Sequence, residues 1–199
     1  MSARVQAIVQ ARMSSSRFPG KVLAPFRGEP IVLHVVRAAA QAVGADTVVV
    51  ATSGEASDDP LAAYLASLGI ACFRGPKDDV LERFRLCATE YPSEWVLRLC
   101  ADSPLLDPHV IRAVVDAASD DVDVVTTALG GSAHGTNAEL VRSSALLGVG
   151  PSEATAEERE HVMPFFYRRP ERFRIRSIDV PAAAAVDTVE DLRRLEAGS

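Results

Sequence analysis

The densest chemistry in the chain lies in one segment, Gln10-Ala11-Arg12-Met13-Ser14-Ser15-Ser16-Arg17-Phe18-Pro19-Gly20-Lys21. Two guanidinium groups, an ammonium, three hydroxyls and a glycine follow directly on an apolar run, Val5 to Val9, that reads as a first strand. Such groups can surround a polyphosphate: arginine forks take phosphate oxygens in pairs, and lysine adds a point charge. Hydroxyls and free backbone N–H groups complete an anion nest. Two familiar phosphate loops fail on spacing. A Walker A loop needs Gly where Ser15 stands and Ser or Thr where Val22 stands, and no GxGxxG occurs anywhere. The plain alternative is a solvated basic loop.

Two carboxylate segments lie far downstream. In Leu97-Arg98-Leu99-Cys100-Ala101-Asp102-Ser103-Pro104-Leu105-Leu106-Asp107-Pro108, Asp102 ends an apolar strand, where a carboxylate faces a site rather than a core. Magnesium is commonly held by one or two carboxylates together with substrate phosphates. Taken alone, Asp102 fits equally a turn before Pro104. In Ala185-Val186-Asp187-Thr188-Val189-Glu190-Asp191-Leu192, Asp187 and Glu190 have capping-box spacing, so alone the segment reads as a helix start.

Other polar residues keep plainer readings. His34 sits on an apolar helix face, and His109 follows Pro108 in a first helical turn. Asp121-Val122-Asp123 has the DxD spacing of metal-dependent glycosyltransferases, but it precedes its strand and reads as a turn. Arg172, Arg174 and Arg176 alternate beside Arg168-Arg169, which puts three arginines on one solvated strand face. Cys72, Cys87 and Cys100 lack metal spacing and read as buried free thiols.

These groups must be positioned by a chain of 199 residues with 48% hydrophobic and 24% charged content, values of an ordinary globular protein. The length predicts one domain over 1–199. A net charge of -6, from 21 Lys+Arg against 27 Asp+Glu, argues against a nucleic-acid partner. MSARVQAIVQARM lacks the apolar core of a signal peptide, and no window approaches a membrane span of about 18 apolar residues. The expectation is a cytoplasmic protein with reduced thiols and no membrane partner.

Strand and helix patterns alternate throughout. After Val5–Val9 come a helix over Ile31–Val43 and a strand over Thr47–Thr52. A helix that Asp58-Asp59-Pro60 caps ends near Leu68, with Gly69 closing it. A short strand over Ile70–Phe73 precedes a helix from Asp78 or Asp79 to Glu90, a strand over Trp95–Cys100, and a helix from Asp107-Pro108 to Ala118. Val122–Ala128 reads as a strand, and residues 130–135 as a glycine-rich loop. Ala138–Val149 and Ala154–Tyr167 read as helices, Phe173–Val180 as a strand, and Val189–Ala197 as a helix. The alternation predicts a three-layer α/β/α fold on a mainly parallel, Rossmann-like sheet, with ligands at the carboxyl ends of its strands.

The segments IVQARMSSSRFPGKVL, VVVATS, FRGPKDDVLERF, LRLCADSPLLDP, GTNAEL, EREHV and VDTVEDLRRL together resemble the cytidylyltransferases that activate sugar acids, most closely their spore-coat polysaccharide (SpsF-like) branch. The resemblance covers nearly the whole chain; its first-loop and ADSPLLDP motifs are the most specific. It implies the nucleotidyltransferase (GT-A-like) version of the fold and transfer of CMP from CTP to an acidic sugar, with pyrophosphate released and Mg2+ as cofactor. By matching position, Arg12, Ser15, Ser16, Arg17 and Lys21 would bind the triphosphate, and Asp102 and Asp187 would hold the metal. Arg12, Arg17, Lys21 and Asp102 would carry catalysis. Gln10, Ala11, Arg74 and Asp79 would lie near the nucleoside, and Glu139, Glu160 and His161 would face an acidic or zwitterionic acceptor. His161 or a second Mg2+ would take the acceptor's proton. The same residues leave open a nucleotidyltransferase for another base or acceptor, a glycosyltransferase, and a nucleotide-binding module without turnover. Sugar-acid cytidylyltransferases usually carry a longer insertion between the strand near Val124 and Glu139. Its shortness here implies an open acceptor site, and a homodimer, if formed, through another surface.

Overall fold

Alternation along three apolar strands decides how the layers stack. Val5, Ala7 and Val9 point to one side of the first strand and Ile8 to the other; Val48 and Val50 oppose Val49 and Ala51 in the same way. Trp95, Leu97 and Leu99 join the first side and Val96 the second. Strands apolar on both faces need helices on both faces.

The computed structural model describes residues 4–129, 137–150, 152–180 and 184–197. Strand β1 (Val5–Gln10) leads through a turn at Lys21–Leu23 and a two-stranded ribbon, β2 (Pro25–Phe26) with β3 (Glu29–Pro30), into helix α1 (Ile31–Val43). There follow β4 (Val48–Ser53), α2 (Asp59–Ser67), β5 (Cys72–Gly75), α3 (Val80–Glu90), β6 (Trp95–Cys100) and α4 (Pro108–Asp116). The second half contains β7 (Val124–Thr126), β8 (Ala138–Arg142), α5 (Ser143–Leu147), α6 (Ala156–His161), α7 (Pro164–Tyr167), β9 (Ile175–Ser177) and α8 (Val189–Ala197). The main sheet has seven strands in the order β5-β4-β1-β6-β8-β7-β9. Only β8 runs against the others, pairing antiparallel with β6 and β7. The glycine-rich segment 130–135 falls outside the described residues.

Helices α1 and α4 cover one face through Val32, Val35, Ala39, Ile111 and Val114, with Leu61 and Leu65 of α2. Helix α3 and the α5–α7 segment cover the other through Leu81, Phe84, Leu146, Phe165 and Phe166. Helix α8 packs Leu192 with Val186 against Phe26 and Ile31. The three-layer, mainly parallel architecture is therefore the one the alternation predicts.

Several boundaries follow from local chemistry. Asp107 caps α4 by accepting from the His109 N–H at 2.8 Å, with Pro108 in the first turn, and Asp79 caps α3 through the Glu82 N–H at 2.9 Å. Helix α2 closes as a Schellman turn: Ile70 N–H donates to the Leu65 carbonyl and Gly69 N–H to that of Ala66, with Gly69 at φ +67°.

Three expectations are corrected. The segment Ala138–Val149 is a strand followed by a single short helix. Its apolar spacing came from a β8 buried on both faces, a pattern that mimics a buried helix over so few residues. The stretch Ala154–Tyr167 is two short helices, broken where Val162 takes φ +66°. Asp58 does not cap α2 with its side chain; the fully buried carboxylate accepts from the N–H groups of Met13 (2.7 Å) and Ser53 (3.0 Å). It ties the first loop to the end of β4.

The other plain readings mostly hold. His34 stacks edge-on against Phe26 and meets its carbonyl oxygen at 2.8 Å. Arg174 pairs with Asp123 at 3.0 Å and Arg176 with Asp121 at 3.2 Å, so the DxD carboxylates are spent on arginines. Arg172 lies before β9 and pairs with Glu153 instead. All three cysteines are free thiols, Cys72 and Cys100 only half-buried, and burial pushes Cys87 up to about 12.

Candidate active site

Neighbouring β1 and β6 end level with each other, Gln10 opposite Cys100, and the chain then leaves in different directions. The connections from β1 lead first to β4 on one side, while β6 flanks it on the other, so a crevice opens at a switch point of the sheet. Its volume is about 380 Å³.

The first loop forms one wall. Past Ala11 its course is held by Asp58 at Met13 and by the Gly20 N–H, which returns to the Met13 carbonyl at 2.8 Å. Gly20 takes φ +76°, a conformation that favours glycine, and this turn swings Lys21 inward. The Lys21 ammonium donates to Asp102 Oδ2 at 2.8 Å, to the Val186 carbonyl at 3.0 Å and to Asp187 Oδ1 at 3.4 Å. Its side chain is only 12% exposed. A backbone bond from Val186 N–H to the Asp102 carbonyl (2.8 Å) locks the last two segments together. One cation thus joins three parts of the chain that are far apart in sequence.

Arg17 reaches Asp187 at 3.0 Å from the solvent side, and Arg12 lies 3.7 Å from Glu160. Ser15 and Ser16 line the crevice beside them, as do Gln10 and Ala11 at its base. Glu160 and His161 line it too, because the break at Val162 ends α6 there. The structure does not bring Arg74, Asp79 and Glu139 to the crevice wall. Arg74 is tied to Asp59 at 2.7 Å and to the carbonyls of Ser53 and Glu55. Asp79 caps α3 and pairs with Arg159. Glu139 is buried behind the floor, its carboxylate paired with Arg98 and accepting from the Tyr167 hydroxyl at 2.6 Å.

Arg98 has no expected role from the sequence and Cys100 only that of a buried thiol, yet both line the crevice. The available signal was a charge inside the apolar run Trp95–Cys100, which a strand buried on both faces tolerates only with a partner. Burial, with Asp102 and Glu139 nearby, pushes the Cys100 thiol up to about 11, so it is no nucleophile at neutral pH.

The helix that carries Glu160 and His161 is anchored by Glu158. Thr155 and Glu158 form a reciprocal capping box, and Arg169 donates to Glu158 Oε1 at 2.8 Å. The Arg169 bond, outweighing burial and aided by the Thr155 N–H, lowers the carboxyl from its ordinary 4.5 to about 2. A depressed folded-state value contributes stability fully above about pH 4.5, and the contribution is lost as pH falls toward 2. Glu158→Gln, which keeps the cap but not the charge, is expected to lower Tm at pH 7. Thermal melts should show the gap to the natural protein closing between pH 4.5 and 2.

A cationic loop after the first strand, facing two carboxylates across the switch point of an α/β sheet, defines a nucleotidyltransferase. The cytidylyltransferase family model matches residues 6–195, and the chain belongs to that family of CTP-dependent enzymes. It is similar to the spore coat polysaccharide biosynthesis protein SpsF of Bacillus subtilis, at 30% identity over 96% of this chain and 84% of that protein. It is also similar to the 3-deoxy-manno-octulosonate cytidylyltransferase of Paramagnetospirillum magneticum, at 31% identity over 96% of this chain and 85% of the relative. Among solved structures, a cytidylyltransferase from Leptospira borgpetersenii superposes with a TM-score of 0.90 at 27% identity, covering 98% of this chain and 85% of that one. Among the described residues, no helix is long and apolar enough to cross a membrane.

Proposed function

We propose that the protein transfers CMP from CTP to a hydroxyl group of an acidic sugar, in the supply of activated sugars for polysaccharide synthesis. The observation that carries this reading is the Lys21 ammonium shared by Asp102 and Asp187 at the mouth of a loop rich in phosphate-binding groups. The sugar-acid acceptor is supported by the relative that acts on 3-deoxy-manno-octulosonate.

In the reaction the acceptor oxygen bonds to the α-phosphorus, the bond from that phosphorus to the β-phosphate oxygen breaks, and pyrophosphate leaves with the electron pair. The acceptor's hydroxyl proton passes to His161 or to water. Arg12, Arg17 and Lys21 hold the triphosphate and offset charge that grows on the leaving group, while Ser15 and Ser16 donate to its oxygens. Fixing the two reactants side by side supplies much of the rate.

The donor set also suits a divalent cation. Asp102 and Asp187 bring hard carboxylate oxygens together around the Lys21 ammonium, close enough for the pair to take a divalent cation when Lys21 turns to the phosphates. Among the described residues no group of three or more His, Cys, Asp or Glu converges, but Mg2+ shared with substrate phosphates needs only one or two carboxylates. Held there, it would neutralise phosphate charge and polarise the α-phosphate. Asp102→Asn is therefore expected to lower kcat by about a hundredfold and to raise the Mg2+ concentration giving half-maximal rate, read in a Mg2+ titration.

The reading is tested by pyrophosphate release from CTP, UTP, GTP and ATP with Mg2+, each with a set of sugar acids that includes 3-deoxy-manno-octulosonate. Release with CTP and at least one acid is expected. Release that needs no acceptor acid, or none with CTP, contradicts it.

A further inference from the structure

Arg98 is the one charged residue of β6, and its side chain is 11% exposed. Its antiparallel register partner on β8 is Glu139, and the two side chains pair across the strands. The other Glu139 oxygen accepts from the Tyr167 hydroxyl at 2.6 Å. A carboxylate only accepts, so the single Tyr167 proton is spent there, and Thr126 must donate to the Tyr167 oxygen at 2.8 Å. Thr126 Oγ1 in turn accepts the Ala128 N–H at 3.0 Å. Burial and the neighbouring Glu139 push the Tyr167 hydroxyl upward, which keeps it a donor. Every proton along this chain has a fixed direction.

The chain ends at the crevice. Arg98 Nη2 donates to Gln10 Oε1 at 3.1 Å. A guanidinium has no acceptor, so only the amide oxygen can face it, which turns the Gln10 NH2 group away from Arg98. A free glutamine offers either end to a ligand. Gln10 lines the crevice, and with its oxygen engaged by Arg98 its N–H groups are, among the described residues, the part left without a partner on that side.

We infer that Gln10 is a specificity residue for the acceptor substrate, its fixed N–H groups binding a carboxylate oxygen, with Arg98, Glu139 and Tyr167 as positioning residues behind it. This rests on the sugar-acid reading above. Gln10 leans from β1 onto β6, the side that continues to β8 and to α7, which carries Tyr167. Glu160 and His161, at the end of α6 just before α7, line the same crevice. Arg74 and Asp79 belong to the β5–α3 segment on the opposite side of β1 and stay outside it. The resemblance places Gln10 beside the nucleoside; its hydrogen bond to Arg98, on the β6 side, is the observation that favours the acceptor instead.

Gln10→Glu tests the inference, because it preserves size and the contact to Arg98 but removes both N–H groups. At saturating CTP, KM for the best sugar acid of the set is expected to rise at least about tenfold, as where a site loses a required hydrogen bond. KM for CTP should stay within about twofold, since only acceptor binding is altered. The methyl ester of that acid carries no charge to oppose the new carboxylate and should lose less, so the preference for acid over ester falls. Gln10→Met removes the same donors without adding charge and should move KM in the same direction. Tyr167→Phe should raise acceptor KM about threefold with kcat retained, a split that general loosening of the fold does not produce. Unchanged acceptor KM in both Gln10 variants overturns the inference, as does a change confined to CTP. No turnover of any acid by the natural protein overturns the sugar-acid reading itself.

Discussion

Lys21→Met is expected to reduce kcat/KM for CTP by about two to three orders of magnitude, the scale seen when a preorganised charge facing a transition state is removed. Two losses combine. The ammonium is the least exposed of the loop cations and the one in contact with both carboxylates, so under the proposed reaction a leaving pyrophosphate would lose the loop's most buried positive charge. Without it, Asp102 and Asp187 face each other as like charges, and the Val186 carbonyl loses its donor. Methionine matches the length of the stem and fills the same space, which isolates the charge from packing. Arg17→Met serves as the comparison: Arg17 is 65% exposed and, among the described residues, pairs with Asp187 alone of the two carboxylates, so its loss should cost distinctly less. Steady-state rates at fixed Mg2+ read both. Equal losses in the two variants would mean that the loop acts as a diffuse positive field and that the shared ammonium has no special role.

The second large effect is on stability. Arg98→Met is expected to destabilise the protein by about 3–5 kcal/mol, the cost of leaving a buried carboxylate without its partner. Glu139 has 4% of its side chain exposed and cannot recover water. Adding Glu139→Gln removes the stranded charge yet keeps an oxygen for the Tyr167 hydroxyl, and should return at least about 2 kcal/mol. Urea denaturation of the two single variants and the pair measures this directly. A pair whose losses simply add would show that Arg98 stabilises through packing against Phe84, over whose ring its guanidinium lies 6.0 Å from the centroid.

What could be read from the sequence was whatever local chemistry determines. The apolar runs of β1, β4 and β6, the Asp107-Pro108 start of α4 and the Gly69 stop of α2 each carry their signal within a few residues. The first loop was legible for the same reason, since its cations and hydroxyls are contiguous. Contacts made by topology were not. Lys21 and Asp187 are 166 residues apart, and sequence offered each as a type of group without showing that they share a hydrogen bond. Asp58 looked like a helix cap because Asp before Asp-Pro usually is one; its carboxylate instead accepts from the N–H of Met13, 45 residues earlier, and from that of Ser53. Glu139 is a related case. The resemblance set it facing the acceptor by matching position, while the register of β8, antiparallel to β6, puts it opposite Arg98 and inside. The reversed strand is what a count of alternating patterns cannot reveal, because a short strand buried on both faces has no period of its own.

Under the proposed function, one crevice joins CMP to a sugar acid. Phosphorus NMR of the protein with CTP, Mg2+ and the best acid of the set tests it in a single sample. A new phosphodiester resonance growing in step with pyrophosphate, one to one, with mass spectrometry giving a CMP–sugar acid conjugate, is the predicted result. Loss of CTP to CMP and pyrophosphate with no conjugate, or no change in CTP at all, would contradict it.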